Sequence, residues 1–214
     1  MKGAICALRW PESDDYDRIA AWLRPMSHAA ALTGDTHEAI DAAALRQAAE
    51  SGQVRYFVVV SRDGEPVGVV NYRAAGGGGA HSYAMGGAVG ISERWQAGYG
   101  AEALSLLTDF VFHQLNAHRV EFSTASYNRH SLQVLTRDGF TLEGVLRDYY
   151  FVDGEYHHRT IWSILRHEYY ANRAEYGRRL PMPELVPAED KARARESLAK
   201  YLANDGPSSW GEMR

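Results

Sequence analysis

Residues 90–104 read Gly-Ile-Ser-Glu-Arg-Trp-Gln-Ala-Gly-Tyr-Gly-Ala-Glu-Ala-Leu. This is the end of a strand, a short turn, and a helix that opens on Gly98 and Gly100. Leu104, Leu107, Val111 and Leu115 continue it as an apolar stripe at helical spacing. A helix that begins in glycines leaves its first backbone N–H groups uncrowded by side chains. The partial positive charge at such an end suits a phosphate or pyrophosphate. The stretch reads as a cradle for the diphosphate of a nucleotide-bearing cofactor.

Upstream, residues 82–91 form a strand rich in small residues, where glycines mark a bulge or a close backbone approach. Before it, residues 54–61 and 67–73 are two strands joined by Asp63-Gly64, a hairpin signal. Gly76 to Gly79 are a flexible connection. The chain begins with a short strand over 4–9, then a helix from Ser13 with apolar face Tyr16, Ile19, Ala20 and Leu23. Residues 26–35 read as a turn-rich connection, and Thr36 as the cap of a second helix to about Ser51.

Downstream, the glycine-opened helix ends near Asn116 and residues 118–124 alternate as a strand. Asn128 then opens a helix over 131–137 that Gly139 terminates. Residues 140–152 and 156–165 are two long strands joined by Asp153-Gly154. From His167 the composition shifts, and residues 180–187 hold three of the seven prolines. A last helix over about 187–203 has acids early and bases late, as the helix dipole prefers. The domain reading is 1–168 for the catalytic-type body and 169–214 for an extension, whose helix is an arm for its own domain or a second subunit, or a solvated terminal helix.

The totals exclude several classes. The net charge of −4 argues against a nucleic-acid surface. Cys6 is the single cysteine, so there is neither an internal disulfide nor a cysteine-rich zinc site. No secretory leader and no apolar run of membrane-spanning length is legible, which makes a cytoplasmic location the expectation. Gly98-Tyr-Gly100 lacks the third glycine of a dinucleotide fingerprint, since Ala103 stands there. Arg94 replaces the glycine a nucleophile elbow needs. His157 and His158 are adjacent on a strand and point to opposite faces, so no metal is expected.

Four segments in order carry a likeness: residues 95–103, Asn128-Arg-His-Ser131, residues 138–147 and residues 153–156. With them the chain resembles the GCN5-related N-acetyltransferase superfamily, in particular its ribosomal-protein-alanine (RimJ/RimL-type) branch, over roughly residues 4–168. The resemblance implies an α/β fold: a mixed, mainly antiparallel sheet splayed into a V, flanked by helices, with acetyl-CoA in the V. It implies that the pantetheine arm pairs with backbone at Val89, Gly90 and Ile91. The diphosphate would rest on the N–H groups of Gln96, Ala97, Gly98, Tyr99, Gly100 and Ala101. It also makes Ser131 the candidate acid for the departing thiolate and gives Asn128 a place against the pantetheine amide. Arg137 is a candidate for the adenosine end, or is simply solvated. Where many members carry a tyrosine, this chain has Leu135.

Acetyl transfer needs a neutral amine, and an alkyl ammonium at pH 7 is neutral in only about one part in a few thousand. A base, a water relay, or surroundings that lower the amine pKa must supply it. The position where some relatives place a glutamate is Tyr150 here. Asp148, two residues earlier and so expected on the same face, is the substitute base. Glu121 and His158 follow. The implied partners are acetyl-CoA and an amine acceptor, a protein N-terminus or a small amine, with a homodimer possible. The alternative is an acetyl-CoA-binding protein of the same fold without catalysis.

Overall fold

A computed structural model describes residues 1–33, 39–76, 81–175 and 185–204. The chain divides into two units, Met1–Pro181 and Met182–Arg214. The first runs β1 (Cys6–Arg9), α1 (Ser13–Trp22), α2 (His28–Thr33), α3 (Ala42–Glu50), β2 (Arg55–Ser61), β3 (Pro66–Ala74) and β4 (Ser82–Val89). A 3₁₀ segment (Ser92–Ala97) follows, then α4 (Tyr99–His113), β5 (Arg119–Ala125), α5 (Arg129–Arg137), β6 (Thr141–Val152), β7 (Glu155–Leu165) and α6 (Arg166–Glu175). The expected boundary at 168/169 falls inside α6, which belongs to this first unit. In the second unit α7 (Ala188–Asn204) carries Glu189 and Asp190 in its first turn, and pairs Lys200 with Glu196 at 2.9 Å.

The seven strands form one sheet in the order β1-β2-β3-β4-β5-β7-β6. Every neighbouring pair is antiparallel except β4 with β5. Both hairpins expected at Asp63-Gly64 and Asp153-Gly154 are present. Gly64, Asp153 and Gly154 all take positive φ, as tight turns matched to strand twist require. The parallel ladder runs only from Ser82↔Arg119 to Met85↔Phe122. Beyond that last pair, residues 86–89 and 123–125 part company, and the sheet splays into the expected V.

Helix α4 covers one face of the sheet. Leu104, Leu107 and Val111 are buried as the stripe predicts, and Leu106 and Phe112 join them. They pack with Phe57, Val59, Val70, Phe122 and Ile164 in the main core. The opposite face of the first strands is covered by α1 and α3, where Ile19 and Leu45 meet Val69.

The local differences from the sequence reading have identifiable causes. Glu12, not Ser13, caps α1, because Asp15 reaches back to accept the Glu12 N–H at 2.8 Å in a capping box. Thr36 lies outside the described residues; α3 is capped by Asp41, whose carboxylate accepts the Ala44 N–H at 2.7 Å. Of the glycine run, Gly76 is a turn residue and the rest lies outside the described residues. Helices α2 and α6 were not expected. The first is short and alanine-rich; the second docks through Tyr169, which stacks on Phe112 at 4.5 Å and donates its hydroxyl to buried Asp109.

Candidate active site

The V exposes backbone because of the strand period. Gly90 N–H donates to Val67 O at 2.9 Å, and Ala75 N–H to Ser82 O at 3.0 Å. In an antiparallel ladder, alternate residues turn their N–H and C=O to the same neighbour. On β4 the even positions from Ser82 to Gly90 therefore bond to β3, and the odd positions turn to β5. Tyr83 and Met85 meet β5 in the ladder; Gly87 and Val89 face the split.

That alternation refines the expected pantetheine contacts. Val89 has the required orientation. The N–H of Gly90 belongs to β3, and the carbonyl of Ile91 accepts the Arg94 N–H at 3.0 Å. Gly87, which the sequence reading did not single out, shares Val89's aspect. The Val89 carbonyl also accepts the indole N–H of Trp95 at 2.8 Å. Gly90 leaves room for Trp22: a Cβ there would lie 2.1 Å from the indole ring.

At the foot of the V the chain turns through the 3₁₀ segment, which includes Gln96 and Ala97, and enters α4 at Gly98. Gly98 takes φ 85°, a left-handed conformation open to glycine. Its carbonyl accepts the Glu102 N–H at 3.0 Å. The N–H groups of Tyr99, Gly100 and Ala101 precede that first helical bond, so they point out of the helix start.

These parts line one cleft of about 640 Å3, within the usual size of a ligand site. Its walls include Gly87, Val89 and Trp95, the helix start Gly98, Gly100 and Ala101, and Asn128, Ser131 and Arg137 of the α5 side. Arg129 and His130 line it as well and escaped the sequence reading. Among the described residues no carboxylate lines this cleft. With the N-terminus of α4, the α5 bases make it suited to an anionic ligand.

Asn128 caps α5 as expected, accepting the Ser131 N–H at 3.1 Å. It also donates from Nδ2 to Leu32 O at 3.0 Å. Tyr127 O–H donates to Ala31 O nearby. Helix α2, which touches both β4 and β5, is thus tied across the split. No sequence periodicity announces these ties, because they join residues far apart to carbonyls of a short helix.

Arg137 is 57% exposed and paired with Asp138 at 2.9 Å while lining the cleft. The proposed bases stand elsewhere. Asp148 was expected to share a face with Tyr150, but β6 is irregular there: Leu146 pairs with Arg159 and Tyr150 with His157. Residues 147–149 therefore oppose His158 alone, and Asp148 takes φ 50°. This bulge breaks the strand period on which the shared face depended. The Asp148 N–H donates to His158 Nδ1 at 3.1 Å, and its carboxylate lies 3.4 Å from that nitrogen. Half-buried Tyr150 packs edge-on to Tyr149. Glu121 lies 3.8 Å from Arg119. Neither Asp148 nor Tyr150 lines the cleft.

Two carboxylates act as braces. Glu102 accepts backbone N–H bonds from Ala4, Ile5 and Cys6 at 2.6, 2.8 and 2.7 Å, tying the start of α4 to β1. Burial pushes its pKa up, but these bonds outweigh burial and hold it below the usual value. Glu143 accepts from both Arg119 Nη atoms and from Ser163 Oγ, and these bonds bring it down to about 2. Cys6 is buried; burial first, then its bond to Glu102, pushes the thiol up to about 12, so it is no nucleophile.

A splayed, mainly antiparallel sheet with a glycine-started helix at the foot of its split defines an α/β protein with an open cleft at that split. The chain belongs to the acetyltransferase (GNAT) domain family, whose model matches residues 6–141. It is 35% identical over 75 residues to the uncharacterized N-acetyltransferase p20 of Bacillus licheniformis, covering 35% of this chain and 42% of that one. It is 27% identical over 117 residues to the [ribosomal protein uS5]-alanine N-acetyltransferase of Escherichia coli, covering 54% of this chain and 59% of that one. The chain thus spans about half the length of these curated relatives. Mutant forms of the spermidine/spermine N-acetyltransferase SpeG from Vibrio cholerae superpose with a TM-score of 0.64 at 20% identity, over 79% of this chain and 98% of that one. That likeness shows the fold.

Proposed function

We propose that the protein transfers acetyl from acetyl-CoA to a primary amine by direct attack in a ternary complex. One observation carries this reading: the split-facing backbone of Gly87 and Val89 and the first-turn amides of α4 line the same cleft as Ser131. The coenzyme, when bound, supplies a thioester-activated acetyl group. Gly87 offers an N–H and a C=O, and Val89 an N–H, its carbonyl being taken by the Trp95 indole, to an amide-bearing arm. The N–H groups of Tyr99, Gly100 and Ala101, with Gly98 allowing close approach, fit a diphosphate. Asn128 ties α5 to α2, and Ser131, on the wall of the same cleft, would protonate a departing thiolate. Arg137 sits on the wall where the nucleotide end would emerge. Backbone donors at the split serve a developing oxyanion.

The amine must lose a proton. Asp148, with Tyr150 on the same strand, is the candidate base through a water relay, since the Nδ1 of His158 already accepts the Asp148 N–H at 3.1 Å. A cytoplasmic enzyme is part of the same reading, as among the described residues no helix is long and apolar enough to cross a membrane. Homodimer formation is a further part, supported by exposed Leu142, Val145 and Phe151 on edge strand β6; sedimentation equilibrium tests it.

The experiment is thiol release from acetyl-CoA with a panel of amines. Amine-dependent release supports transfer. If acetyl-CoA raises the melting temperature and no amine releases thiol, the protein binds the coenzyme without catalysis.

A further inference from the structure

Arg159 is a cation held in place by neutral groups. Its Nη2 donates to Ser123 Oγ at 2.8 Å and its Nη1 to the Tyr149 hydroxyl at 3.0 Å. The guanidinium carbon lies 5.0 Å from the centre of the Tyr149 ring. Its Nε is buried and has no hydrogen-bond partner among the described residues. The nearby acids are otherwise engaged: Glu121 and Glu143 both lie against Arg119, and Asp148 against His158. Among the described residues no carboxylate pairs with Arg159. A partly buried charge without a counter-charge is costly, and protein cations in such places normally have one.

Its place in the fold gives the charge a use. Phe122 is the last residue of β5 laddered to β4, and it lines the cleft under α4. Ser123 is next, so its side chain stands on the opposite face of the sheet. Arg159, opposite Ala125 on β7 and bonded to Ser123, therefore stands at the rim of the split on the side away from α4. With the coenzyme filling the α4 and α5 side, that rim is the side from which an acceptor approaches the thioester.

We propose that Arg159 anchors a carboxylate of the acceptor, so that the substrate class is small amines bearing a carboxylate, such as amino acids. This rests on the transfer reading above. A guanidinium has five N–H donors in a planar fork; here two are in use and the Nε–H is buried, which leaves the second N–H of each Nη for a carboxylate. The stacking on Tyr149 and the bond to Ser123 orient the fork in advance, which lowers the ordering cost of binding. A polyamine would bring a second positive charge against Arg159 and be disfavoured.

The test is steady-state kinetics on the full chain with an amino acid, the matching amino-acid amide and spermidine. Wild-type protein should show a lower KM for the acid than for its amide, a comparison that needs no variant. Arg159→Gln should raise KM for the acid roughly 10–100-fold, the loss of one charge-assisted bond, leave its kcat within a few fold, and erase the preference over the amide. Arg159→Lys should recover part of it. Equal KM values for acid and amide, a preference for spermidine, or equal losses for acid and amide in Arg159→Gln overturn the proposal while transfer itself stands. No thiol release with any amine overturns the transfer reading as well.

Discussion

The indole N–H of Trp95 donates to the carbonyl of Val89 at 2.8 Å, from the turn below the V to the strand that forms its edge. Val89 is one of two β4 residues whose backbone faces the split, so this bond holds the edge against which an extended ligand would lie. His28 of α2 meets the Trp95 ring edge-on at 6.1 Å. One side chain thus touches the turn, the strand and the cleft.

Trp95→Phe should keep the ring's packing and lose the bond. A stability loss of about 1 kcal/mol is expected, the usual worth of such a bond, read as a lower denaturant midpoint. Acetyl-CoA should alter the tryptophan emission of the wild type, and the change should largely vanish in the variant. Identical spectral responses in both proteins would show that the indole is remote from the ligand.

Ser131 lines the cleft at the first turn of α5, where its backbone N–H is already satisfied by Asn128. Ser131→Ala should therefore preserve the helix and the coenzyme dissociation constant. Turnover should fall about 10–100-fold, the lower range for loss of a general acid, because a thiolate is a tolerable leaving group. Unchanged kcat would remove Ser131 from the chemistry.

Cys6 gives a negative expectation. With the thiol buried and raised to about 12, native protein should resist thiol-alkylating reagents at pH 8 and become labelled on unfolding. Fast labelling of the native state, measured by mass spectrometry, would contradict the packing of β1 against α4.

Gly90 is fixed by shape. A Cβ there would lie 2.1 Å from the Trp22 ring, so Gly90→Ala must displace the indole and with it the junction of α1 and β4. A cost of about 1–3 kcal/mol is expected, as for overpacked cores, seen as a lower melting temperature. Trp22→Ala in the same chain should relieve the clash, so the two losses should not add.

Where the chain's periods are local, they could be read before any coordinates. The α4 stripe, the two hairpin turns and the Asn128 cap depend on residues within a few positions of one another. So does the glycine opening of α4. Helix α2 has too few residues to show a period, and α6 is tied down by Tyr169 to Asp109, a partner on another helix. The Asp148 bulge hides for a further reason: only the register against His158 reveals the extra residues. What marks Arg159 is spatial, a set of neutral partners while the nearby acids are engaged elsewhere. The glycine-started helix and the strand edge that line the cleft were legible through backbone and glycines; the cluster of Arg159, Ser123 and Tyr149 is gathered from three strands.

Glu102 ties the start of α4 to the first strand, and acid should loosen it. Its carboxylate accepts three backbone N–H groups of residues 4–6. Its folded pKa lies below the ordinary 4.5, so the unfolded chain binds its proton first as pH falls. The stabilisation is therefore complete above about 4.5 and is lost as pH drops through the lower folded value. Glu143, lowered to about 2 by Arg119 and Ser163, acts with the same sign, so its share fades between about 4.5 and about 2. Glu102→Gln keeps an acceptor oxygen but removes the charge, and should cost about 1–2 kcal/mol at pH 7. The difference from wild type should shrink as both are titrated toward pH 3. If the variant's deficit, measured by urea unfolding across that range, stays constant with pH, the carboxylate is not charged in its bonds to β1.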